Sequence, residues 1–224
     1  RLVLPGGAER PGRRLDLNDR SPPVDVAFSP LGDHAFLALQ GSNRLVVLDA
    51  YTGELVSAHV RPGIAPDGVL VAPDGRRLYA HHLLSRTVTL HDLTGLTDGT
   101  DPSLPLLARG ATTSTEALAA DVLRGKQLFM TSDDLRMSRD GYITCAGCHL
   151  DGGHDGRTWD FTDRGEGLRN TIDLRGRAGL GHGPLHWTAN FDEVQDFEND
   201  LRGAFGGLGL LPDALFHEGT RADP

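Results

Sequence analysis

The chain has 224 residues and a net charge of −9, with 38% hydrophobic and 24% charged residues, which is the composition of an ordinary globular protein. The acidic balance argues against a nucleic-acid binder, because such proteins concentrate positive charge. No apolar run reaches the roughly 18 residues that a membrane helix needs. Residues 1–110 carry a net charge of −1 and residues 111–224 a net charge of −8. The acidic second half would steer a basic partner or simply keep that domain in solution.

The first half of the chain repeats at a spacing of 43 residues. Val24–Asp33 resembles Asp67–Arg76, and the register continues so that Phe36 matches Tyr79. Alternating apolar residues indicate half-buried strands. Pro73-Asp74-Gly75 predicts a turn, because Pro fixes φ and Gly accepts a positive φ. A period of 40–50 residues with short strands is typical of β-propeller blades.

These repeats resemble the YVTN type of β-propeller blade in the segments HAFLALQGSNRLVVLDAYTGELV and RRLYAHHLLSRTVTLHDLTG. We predict a partial propeller over residues 1–93, with about two blades and a fragment; two unrelated β-meanders are the alternative. Arg1–Leu4 lies 43 residues before Arg44–Val47, so the chain is expected to start inside a repeat. Because a propeller needs about four blades to close, we expect a segment of a longer polypeptide.

A linker and a helix are predicted next. Residues 94–115 are rich in Gly, Thr, Asp, Ser and Pro with little periodicity, which indicates a linker. Thr113 and Glu116 have the spacing of a capping box, and apolar residues at helical spacing predict a helix over Glu116–Met130. Gly125 costs this helix about 1 kcal/mol relative to Ala. Its presence suggests that another helix or a flat cofactor comes close.

Cys145-Ala146-Gly147-Cys148-His149 is the strongest functional signal, and it contains both cysteines of the chain. Two thiols at this spacing can add to the vinyl groups of a haem, and the adjacent imidazole is then held against the iron. A thioredoxin-like pair would need a βαβ context that is absent. A zinc site could add two of His154, His182 and His186, but the usual second pair of ligands is missing. We therefore predict one covalent haem c and a periplasmic or exported protein, because the attachment machinery works in the bacterial periplasm.

The sixth ligand of that haem decides between electron transfer and catalysis. Many small c-type cytochromes use a downstream Met, but Met130 and Met137 both precede the motif. The histidines downstream of the motif are His154, His182, His186 and His217. The residues alone do not choose among them.

The segments VLRGKQLFMTSDDLRMSRDGYITCAGCH and GEGLRNTIDLRGRAGLGHGPLHWTANFDEVQDFENDLR resemble the di-haem cytochrome c peroxidase/MauG superfamily. The chain resembles more closely the bacterial proteins in which YVTN repeats precede such a domain. The resemblance covers most of residues 116–205. In the peroxidases, Leu-Arg-Asn leads to Pro-Tyr-Met-His and then to an acidic helix, an order that Leu168–Asn170 and Pro184–Trp187 match.

The resemblance implies a mixed fold, with the partial propeller followed by an α-helical c-type cytochrome domain over residues 116–224 and a loop-like tail from Gly203. His186 falls where the peroxidases place their axial Met. The implied ligands are therefore His149 and His186, with His182, Met137 or an open site as alternatives. Asn190 and Glu193 predict the cap of a second helix.

Further side chains are candidates for the surroundings of the haem. Trp159 and Trp187 are expected to shield it, and exposed packing is the alternative. Arginine side chains match propionates because their forked donors fit carboxylates, although each is also an ordinary surface charge; the candidates are Arg169, Arg175 and Arg177. A group of acidic residues among glycines is a weaker candidate for calcium, without the spacing of an EF-hand: Asp151, Asp155, Asp160 and Asp163.

Three functions remain open from the sequence. The first is electron transfer through one low-spin haem, with a redox protein or a larger electron-transfer complex as the partner. The second is the electron-relay half of a di-haem peroxidase/MauG-type enzyme whose second haem domain lies beyond this segment. The third is an interaction subunit of a larger redox complex, built on the propeller. Whether the chain belongs to an enzyme is left undecided.

Overall fold

A computed structural model describes residues 22–175 and 183–217. The strands are Pro23–Phe28 (β1), His34–Leu39 (β2), Arg44–Asp49 (β3), Leu55–Val60 (β4), Pro66–Val71 (β5), Arg77–His82 (β6), Thr87–Asp92 (β7), Leu106–Ala111 (β8), Thr158–Phe161 (β9) and Gly167–Asn170 (β10). The helices are Thr94–Thr97 (α1), Ala120–Met130 (α2), Cys145–Cys148 (α3), Glu198–Arg202 (α4) and Asp213–His217 (α5). Short 3-10 turns cover Leu150–Gly152, Thr162–Arg164 and Val194–Phe197. The predictions for Arg1–Leu4, Arg177 and His182 lie outside the described residues.

Two four-stranded antiparallel sheets form the first half, in the orders β1-β2-β3-β4 and β5-β6-β7-β8. The strands that start at residues 23, 34 and 44 recur at 66, 77 and 87, so the 43-residue repeat of the sequence is also the repeat of the fold. Each sheet is a simple meander, as in a propeller blade. The sheets are therefore consistent with a partial β-propeller.

The prediction of a linker over residues 94–115 is wrong in part, because this segment contains α1 and β8. Strand β8 pairs antiparallel with β7, from Thr87 opposite Ala111 to His91 opposite Leu106, and completes the second sheet. Strand β4 starts at residue 55 and β8 at 106, a separation of 51 residues rather than 43. The turn-rich insertion around α1 breaks the repeat, and this hid the last strand in the sequence.

The main hydrophobic core lies between the two sheets. Leu78 and Ala80 of β6 pack in one cluster with Phe36 of β2 and Leu45 of β3, and all four are almost fully buried. Burying a side chain such as Leu contributes roughly 1.5–3 kcal/mol. This shared core holds the two blades together.

The loop between β4 and β5 makes a close backbone contact at Gly63. A Cβ added to Gly63 would lie 2.6 Å from Cγ of His82, a side chain that is fully buried. We expect Gly63→Ala to destabilise the protein by about 1–3 kcal/mol, because the buried ring cannot move away without strain. The measurement is the free energy of unfolding in urea. Gly110→Ala is the matched control, since a Cβ there meets no atom within 4 Å; equal destabilisation by the two variants would contradict the expectation.

The α-helical cytochrome domain is not shown, because the described helices of the second half are few and short. Helix α2 has 11 residues, and α3, α4 and α5 have four or five each. Strands β9 and β10 form an antiparallel pair between them. Helix α5 lies in the tail for which a loop was predicted. In the described part of the chain, no helix combines the length and apolar character needed to cross a membrane.

Both predicted helix starts were displaced. Helix α2 begins at Ala120 without a side-chain cap, because Glu116 instead pairs with Arg86, whose Nε donates to Oε2 at 2.9 Å. In the later segment, Glu193 rather than Asn190 is the cap, and it forms a reciprocal capping box with Asp196. In the first case a long-range ion pair takes the predicted capping carboxylate, and in the second the cap lies three residues later than predicted.

The segment after α2 is seated on the first blade. The backbone N–H of Ser132 donates to the Gly41 carbonyl at 2.7 Å. Arg61, in the loop between β4 and β5, forms an ion pair with Asp133 at 2.7 Å. These contacts fix the chain that leads to α3 against the blade surface.

Candidate haem site

Helix α3 presents the two thiols and the imidazole from a single capped turn. Thr144 has an extended backbone, and its Oγ1 accepts a hydrogen bond from the Gly147 N–H at 2.8 Å, which caps the helix. Cys145 and Cys148 are three residues apart in this turn, so they lie on the same side of it. The His149 N–H closes the turn on the Cys145 carbonyl at 2.9 Å.

The ring of His149 is oriented by a backbone carbonyl from a distant segment. Its Nδ1 lies 2.8 Å from the carbonyl oxygen of Ile172 and 3.3 Å from that of Gly153. Because a carbonyl can only accept, Nδ1 carries the proton and Nε2 keeps the lone pair that can bind a metal. Metal-binding histidines are generally oriented by a hydrogen bond of this kind.

The two cysteines are free, partly buried thiols. Burial raises the pKa of both Cys145 and Cys148, and the nearby carboxylate of Asp155 raises the pKa of Cys148 further. Reactive dithiol pairs lower the pKa of one thiol in order to form a thiolate. The electrostatics of α3 therefore disfavour the thioredoxin-like alternative.

His186 lies in a left-handed backbone conformation, with φ at 67°. Its ring packs against Phe191, with centroids 4.0 Å apart, and meets the edge of Phe197 at 5.1 Å. Its Nδ1 is 3.2 Å from Oδ1 of Asn190. Aromatic packing and this polar contact hold the ring in one orientation.

Asp200 connects the surroundings of His186 with α3. Its Oδ2 lies 3.8 Å from Nε2 of His186, which is longer than a hydrogen bond. The charge of the same carboxylate also raises the pKa of the Cys145 thiol. The charge of Asp200 therefore acts on Cys145, and its carboxylate lies close to His186.

Comparison with known proteins finds similar folds but no family. No family model matches the chain, and no curated protein matches it. Among solved structures, the Swd1 β-propeller domain of Myceliophteria thermophila is 21% identical over 40% of this chain and 28% of that chain, with a TM-score of 0.36. The periplasmic gluconolactonase of Pseudomonas aeruginosa is 22% identical over 42% of this chain and 27% of that chain, with a TM-score of 0.34. The dihydro-heme d1 dehydrogenase NirN is 24% identical over 42% of this chain and 18% of that chain, with a TM-score of 0.31.

The chain thus spans less than a third of the length of these proteins. Similarities of this size give no information about the function of this chain.

Met137, one of the alternative ligands to His186, lies close to the cysteine motif. Met137 is buried and lines a small apolar cavity together with Cys145. The other lining residues are Thr131, Ile143, Thr144, Leu201 and Phe205. The structure therefore brings Met137 near the thiol through which a haem would be attached.

Arg169 and Trp187 both donate to backbone carbonyls of β10. Arg169 is half-buried and donates to the adjacent Leu168 carbonyl at 2.9 Å. Trp187 is 56% exposed, and its indole N–H donates to the Asn170 carbonyl at 2.6 Å. Their predicted roles toward propionates and as a shield stay predictions.

The acidic residues considered for calcium are not gathered into one group. Asp155 accepts hydrogen bonds from the indole N–H of Trp159 at 3.1 Å and from the Thr171 hydroxyl at 2.8 Å, whereas Asp160 accepts from Thr162. Over residues 22–175 and 183–217, no cluster of three or more His, Cys, Asp or Glu side chains has the arrangement of a metal site.

The residues around α3 fit a covalently attached haem. Two thiols and an oriented imidazole lone pair are the donor set that this cofactor requires. Helix α2 packs beside α3, with the Phe129 ring 6.2 Å from that of His149. A Cβ at Gly125, on the same helix, would meet no atom within 4 Å. The helix neighbour predicted at Gly125 is therefore not seen among the described residues.

Sequence reasoning missed two contributors to this site. The Ile172 carbonyl orients His149, but a backbone carbonyl leaves no signal in residue identities. Asp200 lies in the acidic segment after His186, for which the sequence pattern predicts a helix but no contact with the cysteine motif.

Proposed function

We propose that this chain is a c-type cytochrome that transfers electrons through one haem, covalently held by Cys145 and Cys148. The observation that carries the proposal is the hydrogen bond from Nδ1 of His149 to the Ile172 carbonyl, at 2.8 Å. It leaves Nε2 of the residue that directly follows Cys148 as the atom that would bind iron. When bound, the haem supplies the one-electron chemistry of its iron.

The protein residues set the properties of that iron. The Ile172 carbonyl makes the imidazole of His149 a stronger donor, because hydrogen bonding at Nδ1 raises the basicity of the ring. His186 is our candidate for the second ligand that would hold the iron, since its ring packs on Phe191 and its Nδ1 lies against Asn190, which leaves Nε2 3.8 Å from Asp200, beyond hydrogen-bond distance. Two imidazoles stabilise ferric iron more than an imidazole and a thioether do, which lowers the reduction potential.

The partner and the compartment follow from the same proposal. Two strong protein ligands leave no open position for peroxide, so electrons would pass to another redox protein or a larger electron-transfer complex. The net charge of −8 over residues 111–224 favours a basic partner. Covalent attachment of the haem places the protein in the periplasm or outside the cell.

A pyridine haemochrome assay with oxidised and reduced spectra tests this function. We expect one haem per chain, low-spin in both states and unchanged by peroxide and carbon monoxide. Purified protein without covalent haem, after expression with the attachment machinery, would overturn the proposal. A second, high-spin and peroxide-reactive haem in the natural full-length protein would instead favour the relay half of a di-haem enzyme.

A further inference from the structure

Two buried histidines and a threonine form a hydrogen-bonded chain in the core of the second blade. The Thr89 hydroxyl lies 2.8 Å from Nε2 of His82 and 3.0 Å from Nε2 of His91. Nδ1 of His91 is 2.9 Å from the Leu104 carbonyl. His82, Thr89 and His91 are all fully buried. The proposed electron transfer makes no use of this group.

The Leu104 carbonyl, at one end of this hydrogen-bonded group, fixes the position of each proton in the group. Nδ1 of His91 must donate to the Leu104 carbonyl, so Nε2 of His91 is unprotonated and accepts from the Thr89 hydroxyl. The hydroxyl oxygen then accepts from Nε2 of His82. Nδ1 of His82 is left as a bare lone pair, and it has no hydrogen-bond partner.

A second proton would therefore enter at Nδ1 of His82, which has no hydrogen-bond partner among the described residues. The ring of His82 packs directly on the backbone of Gly63. The titratable and charged groups whose fields act on His82 are the bases His91, His81 and Arg109, and Arg109 also acts on His91. Burial, followed by these charges, lowers the pKa of His82 to about 4.

Gly63 belongs to the loop that crosses from the first blade to the second, which we call the crossover loop (residues 61–65). Its Ile64 N–H donates to the Ser85 hydroxyl at 2.6 Å, and Arg109 donates to its Pro62 carbonyl at 2.6 Å. At its start, Arg61 pairs with Asp133. The loop thus touches the buried histidine on one side and the segment leading to the cysteine motif on the other.

We propose that the His82–Thr89–His91 chain is an acid-sensitive lock on the crossover loop, and that its protonation releases the seat of residues 131–133 on the first blade. When the three hydrogen-bonded side chains are neutral, the His82 ring packs against Gly63 and keeps the crossover loop, including Arg61, in place. Among the described residues, Nδ1 of a charged His82 ring has no hydrogen-bond partner, and the charged groups that act on the ring are all basic, so protonation favours opening of the loop. The lock does not depend on the presence of haem.

The direction of the pH dependence follows from the proton balance. In the unfolded protein, His82 has the ordinary pKa of about 6.5. In the folded protein, its ring stays neutral down to about pH 4. Between these values the unfolded state binds more protons, so stability falls as the pH falls. The lock is closed above about pH 6.5 and is progressively lost toward pH 4.

The test compares the full chain with its His82→Gln variant between pH 7 and pH 4. Gln donates to Thr89 through its amide but does not titrate. For the wild-type protein, we expect the unfolding equilibrium constant to rise about a hundredfold more across this range than for the variant. The protection factor of the Ser132 amide against hydrogen exchange, that is, the exchange rate of the unfolded chain at the same pH divided by the observed rate, should fall at acid pH in the wild type alone; this amide donates to the Gly41 carbonyl. His154→Gln changes an exposed histidine of the second half that is not among the groups acting on His82; it is the control and should keep the wild-type response.

Two outcomes would overturn the lock. One is an identical pH dependence of unfolding in the wild-type and His82→Gln proteins. The other is a protection factor of the Ser132 amide that is as high at pH 4.5 as at pH 7 in the wild type. If His82→Gln does not fold, NMR titration of the wild-type histidine rings replaces the comparison, and a His82 ring that titrates near pH 6.5 in the folded protein would refute the proposal.

Discussion

Replacing Cys145 and Cys148 together by Ala is expected to abolish covalently bound haem. These are the only cysteines of the chain, so no other thiol can form a thioether. The His149 ring would keep its hydrogen bond to the Ile172 carbonyl, but one imidazole alone does not retain haem under denaturing conditions. Acid-acetone extraction measures the result: all haem should leave the double variant, and all should stay with the wild-type polypeptide.

The single variants and one conservative change sharpen this test. Cys145→Ala and Cys148→Ala each keep one thioether and should retain haem with a shifted haemochrome band. Thr144→Ser keeps the hydroxyl that caps α3, so it should retain haem with the wild-type band. Haem that resists extraction from the double variant would refute the assignment of the motif.

The repeat of the blades could be predicted from the sequence because blade strands are local and periodic. Alternation around Phe36 and Tyr79 indicated the second strand of each blade, and the structure repeats β2 as β6 after 43 residues. Such a pattern survives in one sequence because each strand must keep one face in the core between the sheets.

Strand β8 could not be predicted, since its residues have little apolar periodicity and all six are exposed. It owes its position to pairing with β7, and a partner strand is not visible in the residues of an edge strand. The displaced start of α2 has a similar origin. Glu116 had the spacing of a capping residue, but the guanidinium of Arg86, 30 positions earlier, is its partner. Long-range partners of this kind overrule local signals.

The cysteine motif was recognisable because its chemistry depends on residue type and spacing alone. The orientation of its histidine was not, because the Ile172 carbonyl comes from 23 residues further along. The left-handed backbone of His186 was equally hidden, since a non-glycine residue at a positive φ is held there by its surroundings. In this region the sequence predicts which groups are present, and only the fold shows which way they face.

The crossover loop links the two halves in a way that neither half predicts. Arg61, in this loop, forms an ion pair with Asp133 of the segment after α2. Gly63, in the same loop, lies against the buried ring of His82. One loop thus contacts both the buried core of the second blade and residues 131–133, which lead to the cysteine motif.

His186→Ala is expected to convert the iron from low-spin to high-spin and to make it bind carbon monoxide. The reason is the loss of the second imidazole, which leaves one axial position to water or to an added ligand. Alanine keeps the Cβ and therefore the same left-handed strain at φ 67°, so the comparison isolates the ring. Oxidised and reduced absorption spectra measure the change. His154→Ala is the matched control, because His154 also follows the motif, and its Nδ1 accepts only from the nearby Gly156 N–H at 3.1 Å.

His186→Met separates ligation from a merely structural role of this side chain. A thioether in the same position should keep the iron low-spin and raise the reduction potential, because it stabilises ferric iron less than imidazole does. A residue that only packs against Phe191 would change neither the spin state nor the potential on this substitution. If His186→Ala stays low-spin, His186 is not the ligand. Met137, which shares a cavity with Cys145, is then tested by Met137→Leu, since a leucine side chain has no atom that can bind iron.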